Sequence, residues 1–273
     1  MRNLIPRVAL HVFLVLLALA ILTPLVWMVL VSLMETGESQ REPPPLLPQK
    51  PSLQQYHQLG KRLQLTRAFG NSLVVATGAT VGAVLVNALA GYALARLRFR
   101  GRDKLFAGLL LLLLVPGQVA MVPLFLLLRG LGLTNTLLGV VVPGLASVFG
   151  IFLVRQYALS LPQELLDAAR LDGASEARIF TSVALPLMRP ILVTLAAFTF
   201  IGTWNDFLWP LVVLSDDELY TLPVALATLS GEHTQDTELM MAGAVLTMAP
   251  VLVLFAFLQR YYVRGLTMGG LKE

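Results

Sequence analysis

Six apolar runs separated by polar stretches partition the chain, over residues 11–33, 69–95, 105–128, 137–159, 191–214 and 239–263. About 20 apolar residues suffice to cross the hydrocarbon core of a bilayer. The pattern therefore predicts six transmembrane helices and an all-α integral membrane fold. Pro24 lies inside the first run and predicts a kink. Pro116-Gly117-Gln118 and Pro123 predict a broken or bent third helix, and Pro143-Gly144 interrupts the fourth. The second run is rich in small residues. Its Gly78 and Gly82 form a Gly-x-x-x-Gly pair, which lets helices approach closely where apolar transfer gives no drive to associate.

The polar stretch 160–190, between the fourth and fifth runs, carries start and stop signals for two short helices. Ser160 is a candidate N-cap, with Gln163 three residues on as its capping-box partner, and Pro162 is tolerable in a first turn. Leu161, Leu165, Ala168 and Ala169 are expected on one face of the first helix. Gly173 stands where a left-handed stop residue is wanted. Ser175 offers a second N-cap, with Glu176 in the positive first turn. Ile179, Phe180, Val183 and Ala184 make a second apolar face, and Pro186 and Pro190 end or kink that helix. The expected unit is a helix–turn–helix presenting the small residues Ala168, Ala169, Gly173 and Ala174 to another surface, or else a solvated interfacial hairpin.

Residues 35–68 contain Pro43, Pro44, Pro45, Pro48 and Pro51 and read as an extended loop with a short helix around 52–59, serving as a linker or a binding surface. Residues 215–238 are acidic. The expected organisation is a segment 1–68 (first helix and loop), a five-helix core 69–264 that includes the loop 160–190, and a tail 265–273. The cations set the orientation. With the amino terminus in the cytoplasm, Arg2 and Arg7, the cluster Arg96, Arg98, Arg100, Arg102 and Lys104, the loop residues Arg170, Arg178 and Arg189, and Arg260, Arg264 and Lys272 all fall on the inner side. Both termini and the 160–190 loop are thus expected inside.

Composition agrees with the pattern. The chain is 56% hydrophobic and 13% charged, against about 25% charged in a soluble domain. It has no cysteine, which excludes disulfides and Cys-ligated zinc. The net charge of +4 is spread by membrane side and is no nucleic-acid footprint. The first apolar run is longer than a signal-peptide core, and no clean small-residue cleavage site follows it. His11, His57 and His233 are far apart, and no phosphate-binding Gly-x-x-x-x-Gly-Lys-Ser/Thr loop, His-Glu-x-x-His or Gly-x-Ser-x-Gly motif occurs. The chain is not expected to be an enzyme. Within the spans, Trp204-Asn205-Asp206 stands out, because an ionisable group at mid-helix costs roughly 2.5–3.5 kcal/mol. The three residues either line a solute path, with indole stacking on a sugar face, or Asp206 sits near the external end as a cap. Asn87 and Gln118 are weaker candidates. A membrane carrier acting alone would be expected to show an internal repeat, and none is visible.

Asp167-Ala168-Ala169, three residues, Gly173, nine residues, Val183, one residue and Leu185-Pro186 resembles the EAA loop of ABC-importer permeases. Asp167 stands where that pattern has Glu, and Val183 where it has Ile. Asn71-Ser72-Leu73, Gly91-Tyr92-Ala93-Leu94-Ala95-Arg96, Trp204-Asn205-Asp206-Phe207, Trp209-Pro210 and Thr221-Leu222-Pro223 resemble the carbohydrate-uptake branch, similar to its six-span maltose-type permease, over about residues 10–272. The resemblance implies a type I ABC-importer permease fold whose loop 160–190 is a cytoplasmic coupling element. It implies as coupling residues Asp167, Ala168, Ala169, Gly173, Val183, Leu185 and Pro186. It further implies a cytoplasmic ATPase dimer that binds the ATP, a second and different permease subunit, and an extracytoplasmic solute-binding protein. This chain would carry no cofactor and would sit in a bacterial or archaeal cytoplasmic membrane importing a sugar. The alternative within the class is another solute, glycerol phosphate or a polyamine.

Overall fold

The computed structural model describes residues 4–232 and 236–269, and all regular structure among them is helical. His233 and the end of the tail, with Leu271 and Lys272, lie outside the described residues. Three helices are long and apolar enough to cross a membrane, over Val8–Ser32, Leu65–Arg96 and Thr237–Phe257. Three further helix pairs qualify together, bent by 96°, 42° and 76°, so counting each pair as one span gives six.

The chain forms two compact units. The first contains residues 1–66 and 225–250. In it α1 (Leu4–Ser32) continues through Pro24 as a single helix. The proline-rich stretch that follows is folded back rather than extended. Glu38 is buried and its carboxylate accepts the N–H groups of Glu35 at 3.0 Å and Gln49 at 2.7 Å. Glu238, also buried, accepts the Ser39 N–H at 2.8 Å. Gln55, on α2 (Gln54–Arg62), donates to Met34 O and Thr36 Oγ1. Buried carboxylates that accept several N–H groups replace the regular hydrogen bonding a prolyl segment lacks.

The second unit contains residues 67–224 and 251–273. Here α3 (Leu65–Arg96) is followed by α4 (Arg102–Leu112) and α5 (Met121–Gly130), with the 96° bend between them at Pro116-Gly117. Next come α6 (Leu137–Val141), which a 3₁₀ turn holding Pro143 extends to Gly144, and α7 (Val148–Leu159); the two pieces meet at 42° across residues 145–147. The hairpin helices follow: α8 (Gln163–Leu171), α9 (Glu176–Ile179), a π-type turn over Phe180–Ala184, and α10 (Leu185–Leu187). Then α11 (Arg189–Trp204) departs at 76°. The short α12 (Leu208–Val213) follows, and α13 (Leu222–Glu232) and α14 (Thr237–Gly269) begin in the second and first units respectively, since residues 225–250 belong to the first.

One core cluster joins α3 (Ala88, Tyr92, Ala95), α7 (Val154, Ala158), the hairpin (Leu161, Leu166, Ile179, Ala184) and α11 (Leu192, Leu195). The close approach of α3 to α7 is made at Gly91, where an added Cβ would lie 2.7 Å from Val154 and 3.0 Å from the Arg155 backbone nitrogen. At Gly82 an added Cβ would meet only the tip of Leu145, and at Gly78 it would make ordinary contact with Val141. The Gly-x-x-x-Gly pair is therefore the looser of the two contacts. Gly91→Ala is expected to lower stability by about 1–3 kcal/mol through overpacking. A thermal melt in detergent checks this, with Gly78→Ala remaining near wild type.

Candidate functional site

The 160–190 segment folds as a hairpin whose turn chemistry follows from its residues. Gly173 has φ of +77°. Its N–H bonds Arg170 O, and the Ala174 N–H bonds Ala169 O, both at 3.0 Å. These are the two bonds of a Schellman stop. Ser175 Oγ accepts the Arg178 N–H and starts the second arm, as expected. Ser160 does not start the first arm. Its hydroxyl and its N–H both turn back to Tyr157 O, at 2.7 and 3.0 Å, and so finish α7. Pro162 holds the N-cap position of α8. The helix phase is correspondingly rotated: Leu166, not Leu165, is buried.

In the second arm, Leu185 N–H reaches Phe180 O, an i→i−5 bond. This widened turn carries the helix past Pro186, which has no N–H to give. The break comes instead at Met188, ahead of Pro190.

Charge holds the two arms together. Arg170 Nη1 donates to Asp167 Oδ1 at 2.7 Å, and Arg170 Nε donates to Glu176 Oε1 at 2.8 Å. Gln163 Nε2 also donates to Asp167 Oδ1, at 3.0 Å. The hydrogen bonds from Arg170 and then Gln163 hold the Asp167 carboxyl below the usual carboxylate range, so it is ionised at neutral pH. The bonds from Glu176 and then Asp167 raise the Arg170 guanidinium further. These groups are well exposed, and exposed pairs contribute little stability each; their consequence is geometric.

Of the seven expected coupling residues, Asp167, Ala168, Gly173 and Pro186 are exposed, whereas Ala169, Val183 and Leu185 pack against the core. Beside the exposed set stand two apolar side chains, Leu165 at 47% and Leu171 at 90% exposure. Leu171 escapes sequence reasoning because a single leucine after an arginine carries no periodic signal. A groove of about 1030 Å³ opens between the end of α3 and the hairpin, lined by Arg96, Arg98 and Arg102 on one side and Gln163, Asp167 and Arg170 on the other.

The second candidate site is the break after α11. Sixteen helical residues span about 24 Å, short of the roughly 30 Å hydrocarbon core. Residues Asn205 to Phe207 interrupt the helix before α12 resumes it. Non-helical backbone at that depth is tolerated where it is buried in protein or lines a wet cavity. Trp204 is only 1% exposed, edge-on to Phe69 at 5.4 Å and stacked with Phe200 at 5.9 Å. Asn205 is exposed, and its Nδ2 donates to Ile201 O at 2.9 Å. Asp206 is half-buried and its Oδ1 accepts the Trp209 N–H at 3.3 Å, which caps α12. The indole thus braces the break, while the two polar side chains stand at it.

Asn87 lies within α3 at 0% exposure and clamps the break in the fourth span. Its Nδ2 donates to Leu145 O at 3.1 Å, and its Oδ1 accepts the Ser147 N–H at 3.0 Å. Gln118 lies in a 3₁₀ turn with its side chain exposed. Two motif segments far apart in the chain also meet: Ser72 Oγ accepts the Leu222 N–H at 2.7 Å, and Asn71 Nδ2 donates to Glu218 O and Tyr220 O.

Residues 87–268 match the family described as binding-protein-dependent transport system inner membrane component. The chain is 44% identical over 204 residues to the arabinooligosaccharide transport system permease AraQ of Halalkalibacterium halodurans, covering 75% of this chain and 73% of that protein. It is 35% identical over 204 residues to the lactose transport system permease LacG of Rhizobium radiobacter, covering 75% and 74%. Among solved structures, a chain of a bacterial ABC transporter involved in import of the acidic polysaccharide alginate superposes with a TM-score of 0.81 at 25% identity, covering 94% of this chain and 96% of that one.

Proposed function

Because the chain belongs to the family of inner membrane components of binding-protein-dependent transport systems, the translocation subunits of ABC importers, we propose that it imports a sugar, in the size class of short oligosaccharides. In this reading an external solute-binding protein delivers the sugar to a path shared between this chain and a second, different permease subunit. A cytoplasmic ATPase dimer binds and hydrolyses the ATP, so this chain holds no cofactor. The asymmetry of its cations favours both termini, and the hairpin, on the cytoplasmic side.

The observation that carries the proposal is the hairpin: a capped, ion-paired unit built into the core of the spans, with Ala168, Leu171 and Gly173 open to a partner. Closure of the ATPase dimer would pull this surface and rock the attached helices from inward- to outward-facing. Such a pull shifts the equilibrium only if the ATPase binds the hairpin differently in the two states. The remaining implied coupling residues, Asp167, Ala169, Val183, Leu185 and Pro186, act by shaping and anchoring the hairpin. The test is import of radiolabelled arabino-, gluco- and galacto-oligosaccharides into proteoliposomes holding the complete transporter. Uptake of one of these supports the reading, and uptake of only glycerol phosphate or a polyamine would replace it with the alternative solute class.

At the break after α11 we assign Asn205 and Asp206 to the solute path and Trp204 to holding the break open. Asp206→Ala is expected to reduce import several-fold while the ATPase co-purifies in wild-type ratio. Asp206→Asn separates the two roles of the carboxylate, since its amide oxygen still accepts the Trp209 N–H. Persistent loss of import in Asp206→Asn supports solute contact; full recovery assigns Asp206 to capping alone.

A further inference from the structure

The α7 and α11 helices are joined to the hairpin by the chain itself, but α3 is not: it packs on the hairpin through Tyr92, whose ring lies 5.1 Å from that of Phe180, and through Ala95, and among the described residues its hydrogen bonds to the hairpin come from one side chain. In a continuing helix, Ala158 O would accept the N–H of residue 162, which is Pro162 and has none. Ala158 O instead accepts the Leu161 N–H at 3.3 Å, and Arg96, in the last turn of α3, adds a shorter bond from Nε at 2.8 Å. Its Nη2 donates to Leu159 O at 3.1 Å and also to Leu161 O. Its Nη1 donates to Gln163 Oε1 at 2.6 Å, at the first residue of α8. A planar guanidinium that meets four acceptors has little freedom left, and a cation at the carboxyl end of α7 also suits that helix's dipole. The network continues from Gln163 to Asp167, to Arg170, to Glu176, and so reaches the second arm. A separate contact, Arg155 Nε to Leu94 O at 3.3 Å, and the close seating of Gly91 on Val154 hold α3 against α7 without Arg96.

We infer that Arg96 is the positioning residue that makes the second span and the hairpin move as one body, so that the pull of an ATPase on the hairpin is delivered to α3. The inference rests on the importer reading for its consequence, but not for its geometry. The other four cations between residues 98 and 104 are not required for it.

The natural chain has no cysteine, so spin labels can be placed at will. With labels at Leu89→Cys, on an exposed position of α3, and Glu164→Cys, on an exposed position of α8, pulsed EPR on the complete transporter is expected to give one narrow distance. That distance is expected to be unchanged between the resting and ATP-trapped states. Arg96→Ala is expected to at least double the width of the distribution and to lower solute imported per ATP hydrolysed by fivefold or more. Arg96→Lys, a point charge without the planar fork, is expected to recover less than half of that ratio, and it replaces Arg96→Ala as the test variant if the alanine form does not fold. A wild-type distance that shifts between states, or a variant with either readout at the wild-type value, overturns the inference. If no ATPase accompanies the chain, the importer reading fails on its own, and the distance width in the isolated chain still decides whether Arg96 ties α3 to the hairpin.

Discussion

Gly173→Pro is expected to abolish solute import, by tenfold or more, with the protein present in the membrane at wild-type amounts. Nothing lies within 4 Å of a Cβ at this position, so the effect is not one of space. It is one of backbone. The native φ is +77°, and proline holds φ near −65°. The substitution also removes the N–H that bonds Arg170 O. Both arms must then leave the turn in different directions, and the contacts from Arg170 to Glu176 that clip α8 to α9 are lost with them. Gly173→Ala is the graded control. A left-handed alanine costs roughly 1–2 kcal/mol, and it should reduce import by less than proline does. The measurement is uptake into membrane vesicles normalised to immunoblotted protein. Equal uptake by Gly173→Pro and wild type would contradict the view of the hairpin as a lever.

Asn87→Leu is expected to be the most destabilising single change in the transmembrane core. The side chains are similar in size, but the amide serves both free ends of the break between α6 and α7, the Leu145 carbonyl and the Ser147 N–H. Leaving a buried donor or acceptor unmet costs about 1–3 kcal/mol each, so a loss of about 2–6 kcal/mol follows from the two together. A large drop in the thermal midpoint in detergent is the expected result. A midpoint within a degree or two of wild type would mean that the break is held by other contacts.

The parts of this architecture that are legible in the sequence are those set by local rules. Long apolar runs mark the spans, Pro116-Gly117 and Pro143-Gly144 mark the bends, and Gly173 with Ser175 marks the turn. The start of the first arm is not legible, because Ser160 can cap forwards or close backwards, and only the packing of α7 decides between them. Once α8 starts at Gln163 instead of Leu161, the apolar phase moves from Leu165 to Leu166. The prolines of the second arm predict an end or kink at Pro186 and Pro190; the π-type turn carries the helix past the first, and the break falls just before the second. Arg96 is hidden among five cations that the membrane-side rule already accounts for, and Pro162 is the single clue that the end of α7 has room for a further donor. Glu38, Gln55 and Glu238 give no signal, because a polar residue in a loop or a first helical turn looks the same whether water or backbone satisfies it. The roles of Asn205 and Asp206 are legible only as a polar interruption, since local sequence does not say what faces a side chain at a helix break.

The measurement that tests the central claim most directly is gentle purification of the chain from its native membranes, with every accompanying protein identified by mass spectrometry. The account predicts a P-loop ATPase and a second multispan permease, with the ATPase lost from the Gly173→Pro variant. A chain recovered alone, stable, and able to move solute without ATP would contradict it.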